Sequence, residues 1–128
     1  MVKRLYRQLT KDLEQFELNF NNILRNPNSV CLILEYQSKP LGMIFSYIRT
    51  SLSSGKKMII DELIIDKAHQ KQGYGRLLLK HCIKLATKQG LECVELACSL
   101  TKPGLHNFYE KEGFAHRMKL YSLLLKTY

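Results

Sequence analysis

The sequence predicts a single α/β domain over residues 1–128, with a mixed central sheet flanked by helices. Up to residue 65 the chain carries three short apolar runs separated by turn residues, a pattern typical of an antiparallel meander. An amphipathic helical segment and a further apolar run follow, and a strand-helix-strand order predicts that the later strand pairs parallel. With 128 residues, 45% of them hydrophobic, the chain is long enough for one core but too short for two.

The N-terminal segment predicts a strand followed by a helix. Val2–Leu9 has the character of a short first strand. Thr10 is a suitable N-cap, and Asp12 and Glu14 favour the positive end of the helix dipole. Pro27 with the residue after it ends the helix. The apolar face repeats at three- and four-residue spacing and comprises Leu13, Phe16, Phe20, Ile23 and Leu24.

The meander comprises three predicted strands, Val30–Tyr36, Leu41–Arg49 and Met58–Ile65. They are rich in β-branched and aliphatic residues. Turns are predicted at residues 38–40 and at residues 51–57, the second of which contains a glycine.

A helix is predicted from Tyr74 to Gln89, because apolar residues recur on one face and basic residues on another. Gly90, followed by an apolar residue, is a good helix stop. Cys93–Cys98 is predicted as a short buried strand that pairs parallel with the end of the meander.

The C-terminal third predicts one more helix and one more strand. Pro103 suits the first position of a helix, and Gly113 suits its end. Leu120–Leu125 is predicted as the last strand.

Composition limits the class of protein. The four cysteines lie in apolar runs without paired-ligand spacing, so free thiols are expected rather than disulfides or a metal site. No apolar stretch approaches the roughly 20 residues that a membrane helix needs, and the basic N-terminus is not followed by a hydrophobic segment. A cytoplasmic protein is expected. The net charge of +9 indicates a solvated basic surface; binding to nucleic acid is compatible with it, but no RNA-binding motif supports that function.

A glycine-containing turn opens the helix that begins at Tyr74. It follows a predicted strand, and such a strand-turn-helix presents unpaired N–H groups and the positive end of a dipole to a phosphate. Gly73 and Gly75 allow the backbone to approach the anion, and Lys71 and Arg76 add positive charge. The turn lacks the Lys-Ser/Thr of a Walker loop. Leu78 stands where a dinucleotide fingerprint needs its third glycine.

Three segments together resemble the GNAT superfamily of N-acetyltransferases. Residues 70–75, Gln-Lys-Gln-Gly-Tyr-Gly, match its Gln/Arg-x-x-Gly-x-Gly/Ala motif. The preceding strand, residues 60–66, is similar to its acidic-apolar strand, and residues 106–114, His-Asn-Phe-Tyr-Glu-Lys-Glu-Gly-Phe, resemble its Phe-Tyr-Glu-Lys-x-Gly-Phe helix and turn. The motifs span residues 58–125 in the right order and identify a superfamily without identifying a substrate.

The resemblance implies an acetyltransferase that takes acetyl-CoA as donor, needs no metal, and acetylates a primary amine of a small molecule or protein by direct attack in a ternary complex. Backbone groups of the strand end would pair with the pantetheine arm, and amides of the turn would hold the pyrophosphate. Tyr109 matches the family tyrosine that protonates the departing thiolate, and His106 is interpreted as a packing or coenzyme neighbour. The implied coenzyme-binding residues are Leu63, Ile64, Ile65, Gln70, Lys71, Gln72, Gly73, Tyr74, Gly75 and Arg76.

Two adjacent carboxylates are candidates for the base that accepts the amine proton. A carboxylate at the position that matches Asp61 has this role in several family members, whereas strand alternation directs Glu62 to the opposite face. A β-bulge in this strand would remove that alternation. The sequence leaves open which of the two acts, and whether the pair only binds substrate or stabilises the strand.

Two alternative functions remain open from the sequence. One is a module that binds acetyl-CoA or a partner protein without catalysis, although intact Gly73, Gly75 and Tyr109 argue against it. The other is acetylation of an RNA-linked acceptor. The sequence is also compatible with a homodimer.

Overall fold

The computed structural model describes the backbone of residues 13–126 and the side chains of residues 17–126. The chain divides after Leu96 into two compact units, which are described one after the other. The predicted strand Val2–Leu9 and the predicted cap at Thr10 lie outside the described residues. The predicted α/β class is confirmed, because a four-stranded mixed sheet in the first unit is accompanied by helices. That residues 1–128 form a single domain stays a prediction.

Helix α1 spans Leu13–Arg25, and the side chains of Leu13 and Phe16, predicted on its apolar face, lie outside the described residues. Phe20 and Ile23 contact a buried cluster on the sheet. Leu24, which was predicted on this face, is instead 55% exposed because it lies at the end of the helix. The chain turns at Asn26, whose side-chain oxygen accepts a hydrogen bond from the N–H two residues later, so the helix ends before Pro27 as predicted. The buried cluster comprises Met43, Phe45 and Ile64.

Strands β1 (Ser29–Tyr36), β2 (Lys39–Ser51) and β3 (Gly55–Ile65) form the predicted antiparallel meander. Both β2 and β3 begin earlier than predicted. Gln37 and Ser38 have φ of 50° and 64° and make a two-residue turn, so pairing between β1 and β2 continues to that turn. The predicted turns were too long, because polar residues that were assigned to the turns, such as the lysines at the strand ends, in fact pair with the neighbouring strand.

Helix α2 spans Tyr74–Lys88, close to the predicted limits. Gly90 has φ of 70°, its N–H donates to Thr87, and the next N–H donates to Ala86 at 3.0 Å. This pair of bonds is a Schellman motif and satisfies the last carbonyls of the helix. The face of α2 on the sheet is buried and contributes to the core; its buried residues are Leu78, Leu79, Cys82 and Ala86.

Strand β4 is shorter than predicted and spans Cys93–Leu96. It pairs parallel with β3, as predicted, from Lys57 opposite Cys93 to Ile60 opposite Leu96. It is only partly buried, and Cys93 is exposed. Pairing stops where β3 becomes irregular, directly after Ile60, so the predicted extension to Cys98 has no ladder to join.

The second unit contains helix α3, Pro103–Lys111, which begins with proline as predicted. Gly113 has φ of 97°, and the N–H of Phe114 donates to Tyr109 at 3.0 Å, which closes the helix with a second Schellman motif. The prediction of a strand at Leu120–Leu125 is wrong: this segment is irregular and its leucines are 76–89% exposed. No other strand lies in residues 97–126 to supply the hydrogen bonds that a strand requires.

None of the helices in residues 13–126 combines the length and the apolar character needed to cross a membrane.

Candidate active site

A β-bulge lies at Asp61 in the middle of β3. Ser46 of β2 is opposite Ile60, and the preceding residue, Phe45, is opposite Glu62, so Asp61 is the extra residue. A bulge changes the direction of the side chains that flank it. Asp61 is exposed and Glu62 half-buried, and buried positions resume at Ile64. The simple alternation that would place the two carboxylates on opposite faces therefore does not hold.

The bulge places Asp61 in the wall of a cavity of about 310 Å³. Helix α1, the start of β1 and the centre of β2 form the rest of the wall. Glu62 is not part of this lining, so the structure separates the two candidate bases. Although much of Asp61 is exposed, the groups around its carboxylate remove part of its water, and this desolvation raises its pKa because it disfavours the charged form. A carboxyl group with a raised pKa is better matched to accepting a proton near neutral pH.

The end of β3 is joined to the glycine turn by a set of local hydrogen bonds. Asp66 is only 5% exposed, and its carboxylate is 2.7 Å from Nδ1 of His69. The backbone N–H of Asp66 donates to the carbonyl of Leu41 on β2 at 2.7 Å. Gln70 donates from its side-chain amide to the carbonyl of Ile65 at 3.1 Å. Gln70, predicted to bind coenzyme, thus also holds the turn against the strand that precedes it.

The turn itself has the backbone geometry of an anion-binding site. Lys71 and Gly73 have φ of 63° and 86°, and Gly73 is the N-cap of the 15-residue helix α2. A glycine N-cap has no side chain to occupy the first amides, and the first turn of α2 contains no acidic residue. A Cβ at Gly73 would meet no heavy atom within 4 Å, so the space beside the turn is open. The predicted residues from Gln70 to Arg76 are therefore contiguous with the positive end of the helix dipole.

Strands β3 and β4 pair over only part of their length. Their ladder ends at Ile60, while β3 continues past Asp61 to Ile65, and there it is paired to β2 on its other side. The predicted segment from Leu63 to Ile65 thus lies beyond the last β4 partner. An edge of this kind can accept an extended polar chain as an added strand.

Tyr109 lies in the second unit, packed between two aromatic rings. Its ring makes edge contacts with Phe108 at 5.0 Å and with Phe114 at 5.7 Å, both measured between ring centroids. Burial, with a smaller contribution from Cys98, raises the pKa of Tyr109 to about 12. The hydroxyl is therefore a hydrogen-bond donor throughout the physiological pH range. His106 Nε2 is 2.6 Å from the carbonyl of Ser99, and its interpretation as a packing or coenzyme neighbour stays a prediction.

Sequence reasoning missed several residues at both places. Asn22, Asn26 and Tyr47 line the cavity with Asp61, and His69 pairs with Asp66 beside the turn. Asn26, just before Pro27, was one available signal, because an asparagine beside a helix stop favours a turn. The three-residue spacing of the acid and the histidine was another.

Comparisons with known proteins identify a family for this chain. A protein family described as the acetyltransferase (GNAT) family matches residues 2–114. The uncharacterized N-acetyltransferase YhdJ of Bacillus subtilis is 34% identical over 67 residues, which are 52% of this chain and 47% of that protein. The match thus spans about half the length of that relative.

Solved structures show the same fold at low identity. A transcriptional regulator from Bacillus halodurans has a TM-score of 0.84 at 19% identity, over 98% of this chain and 91% of that one. An aminoglycoside acetyltransferase from an uncultured soil metagenomic sample, solved with sisomicin, has a TM-score of 0.75 at 18% identity, over 87% and 74%. The family match includes the turn at Gly73 and extends to Phe114. The chain belongs to the GNAT family of acetyltransferases.

Proposed function

We propose that the chain is an acetyl-CoA-dependent N-acetyltransferase whose acceptor is a primary amine that attacks the thioester directly in a ternary complex. The observation that supports this most strongly is the glycine turn. The first backbone N–H groups of α2 can donate to a pyrophosphate there. Gly73 at the N-cap leaves open space beside them, and no acidic residue lies in the first helical turn to repel the anion. Thiol release from acetyl-CoA in the presence of amines tests the proposal.

The donor site is proposed to extend from the turn along β3. Amides of residues 71–76 bind the pyrophosphate, with Lys71 and Arg76 adding positive charge at its rim. Backbone groups of residues 63–65 pair with the amide groups of the pantetheine arm. This assignment is supported by the end of the β3–β4 ladder at Ile60, since β3 runs on to Ile65 beyond the last residue of β4.

The acceptor is proposed to occupy the cavity beside Asp61. An alkyl amine has a pKa near 10.4 and is mostly protonated at neutral pH, so it must lose a proton before or during attack. The Asp61 carboxylate takes one proton from the ammonium group, directly or through water, and the neutral nitrogen then attacks the carbonyl carbon. The carbon–sulfur bond breaks, and the second surplus proton of the nitrogen passes to solvent, from which the departing thiolate is protonated. The position of Asp61 in the cavity wall, which Glu62 does not share, favours Asp61 as the base, and its raised pKa suits that role near neutral pH.

Tyr109 is proposed to stabilise the departing thiolate. A thiol has a pKa near 8.5, so complete transfer of a proton from a phenol with a pKa of about 12 is uphill by about 5 kcal/mol. A hydrogen bond from the phenol to the developing thiolate needs no complete transfer and is strongest when charge has formed on sulfur. The surroundings of Tyr109 thus favour its role as a hydrogen-bond donor to the thiolate. Solvent then supplies the proton that converts the thiolate to the thiol.

Exchange of Asp61 for asparagine is expected to lower kcat/KM about 100-fold. It should also remove the decline of kcat/KM at low pH that protonation of this carboxylate causes. That decline should lie above the pH range of an ordinary aspartate, because burial raises the pKa of Asp61 and the carboxyl must be ionised to accept a proton. Glu62→Gln is the matched control and should leave the pH profile within about twofold. If Glu62→Gln has the larger effect, Asp61 is not the base. A salt-sensitive rise in KM alone for Asp61→Asn would indicate that Asp61 only attracts the cationic amine.

Exchange of His69 for leucine is expected to raise KM for acetyl-CoA about fivefold while kcat changes less than twofold. Loss of one charge-assisted hydrogen bond to the buried Asp66 loosens the turn that follows. His69→Asn should restore most of the affinity, because its amide can donate from a position near that of Nδ1. His81→Leu, at an exposed histidine of α2, is the control. Equal KM values in all three variants would mean that the pair does not position the turn.

A further inference from the structure

The side chains that line the proposed acceptor cavity favour some classes of amine over others. Its apolar part comes from Ile23 and Phe45, and the ring of Phe45 is held by an edge contact with Phe20 at a centroid distance of 6.0 Å. Its other side chains are polar, and Asp61 is the only acid among the described residues that line it. None of those residues is basic, although the chain has a net charge of +9.

Two of the polar groups are already committed to the fold. The Ser46 hydroxyl is buried and donates to the carbonyl of Val30 at 3.0 Å. The side-chain oxygen of Asn26 accepts from the N–H of Asn28 at 2.9 Å, which leaves its NH₂ group as a donor. These residues give the wall its shape, and only part of their hydrogen-bonding capacity is available to a ligand.

The remaining polar groups can recognise neutral polar atoms. Asn22 is an exposed amide with two donors and an acceptor, and Tyr47 is half-buried with a hydroxyl that can donate or accept. Together with the NH₂ of Asn26 they suit hydroxyl or carbonyl groups of a substrate. A hydroxyl-bearing ligand gains these bonds, whereas an alkyl amine would leave the same groups to water.

The charge of the wall limits the charge of the ligand. One carboxylate can balance one ammonium group, and a second or third ammonium group would find no second acid among the described lining residues. A ligand carboxylate would find no basic partner there either and would be repelled by Asp61. The volume of about 310 Å³ is at the lower end of the range for small-molecule sites.

From this wall we infer that the acceptor is a small monoamine whose other polar groups are uncharged, an amino sugar or amino alcohol rather than an amino acid or a polyamine. The inference rests on the proposed function, since it assigns the cavity beside Asp61 to the acceptor. It adds the substrate class and gives Asn22 a role in specificity.

The test compares kcat/KM of the full chain for four amines at saturating acetyl-CoA, with each value divided by the fraction of that amine that is neutral at the assay pH, because the four amines differ in pKa. D-glucosamine represents the inferred class, and cyclohexylamine has a six-membered ring without hydroxyls. Lysine carries a carboxylate, and spermidine is a polycation. Glucosamine is expected to exceed each of the other three by about tenfold or more, the effect of one or two hydrogen bonds or of one unpaired charge.

Two variants test whether a side chain of the cavity wall recognises the hydroxyl groups of the acceptor. Asn22→Ala is expected to raise KM for glucosamine about fivefold and to leave KM for cyclohexylamine unchanged. Asn21→Ala, at an exposed neighbour on the same helix that does not line the cavity, should change neither value.

Different outcomes overturn different claims. Faster turnover of spermidine or lysine than of glucosamine would overturn the inferred class and leave the proposed acetyltransferase in place. Equal effects of Asn22→Ala on glucosamine and cyclohexylamine would overturn the role of Asn22 in recognition, and with it the inferred class. If none of the four amines, nor a peptide that carries lysine, releases thiol while acetyl-CoA binds normally, the proposed function fails and the inference fails with it.

Discussion

Gly73→Val is expected to weaken CoA binding by at least about 100-fold, the equivalent of two lost charge-assisted hydrogen bonds. Gly73 has φ of 86°, a conformation that a β-branched residue adopts only with strain of about 1–2 kcal/mol. The position of its Cβ is now open space beside the first amides of α2, where the pyrophosphate is proposed to lie. The valine therefore either occupies that space or changes the turn, and titration calorimetry with CoA measures the loss.

Gly90→Val is the matched control for this experiment. Gly90 has φ of 70° at the other end of the same helix, and a Cβ there also meets no heavy atom within 4 Å. The two variants should lose similar thermal stability, because the backbone strain is similar. Only the Gly73 variant should lose affinity for CoA. Wild-type affinity in a folded Gly73→Val protein would show that the turn does not hold the pyrophosphate.

Tyr109→Phe is expected to lower kcat by about 10²–10³-fold while the affinity for CoA changes little. The phenol interacts most strongly when charge has developed on sulfur, so its loss affects the transition state more than the bound coenzyme. Because its pKa is about 12, this hydroxyl stays protonated, so it should not contribute to the decline of the wild-type kcat at low pH. Steady-state kinetics with saturating acetyl-CoA provide the measurement.

Tyr121→Phe is the control for the loss of a phenol in the same unit, because Tyr121 is 85% exposed. It should retain the wild-type kcat. The phenyl ring of a Tyr109→Phe variant can still make the edge contacts with Phe108 and Phe114, so the fold should persist. An unchanged kcat would mean that solvent stabilises the thiolate alone and that Tyr109 only packs in its unit.

Much of the fold was predictable because its signals are local. The meander follows from alternating apolar runs and short turns, and α2 follows from its helical periodicity and from Gly90, which needs a left-handed backbone conformation. The glycine turn was predictable for the same reason: Gly73 and the helix after it are neighbours in sequence. Coenzyme binding by a helix N-terminus depends on backbone groups, which a short motif can specify.

The cavity beside Asp61 was not predictable, since its residues come from separate elements. Asn22 lies on α1, Tyr47 on β2 and Asp61 on β3, and they are brought together by the packing of α1 on the sheet and by the register between β2 and β3. The bulge at Asp61 has no local signal such as glycine, so the sequence could not choose between Asp61 and Glu62. The length of β4 was overestimated for a related reason, because the ladder stops at the bulge on its partner strand.

The central claim, that the protein transfers an acetyl group to an amine, is tested most directly by measuring both products of one reaction. Purified protein is incubated with acetyl-CoA and the amine panel, and free CoA thiol and N-acetyl product are quantified together by mass spectrometry. Thiol and acetylated amine are expected in equal amounts, at a rate that Tyr109→Phe lowers at least about 100-fold. Tight binding of acetyl-CoA with no N-acetyl product from any amine would contradict the claim and identify the protein as a coenzyme-binding module without catalysis.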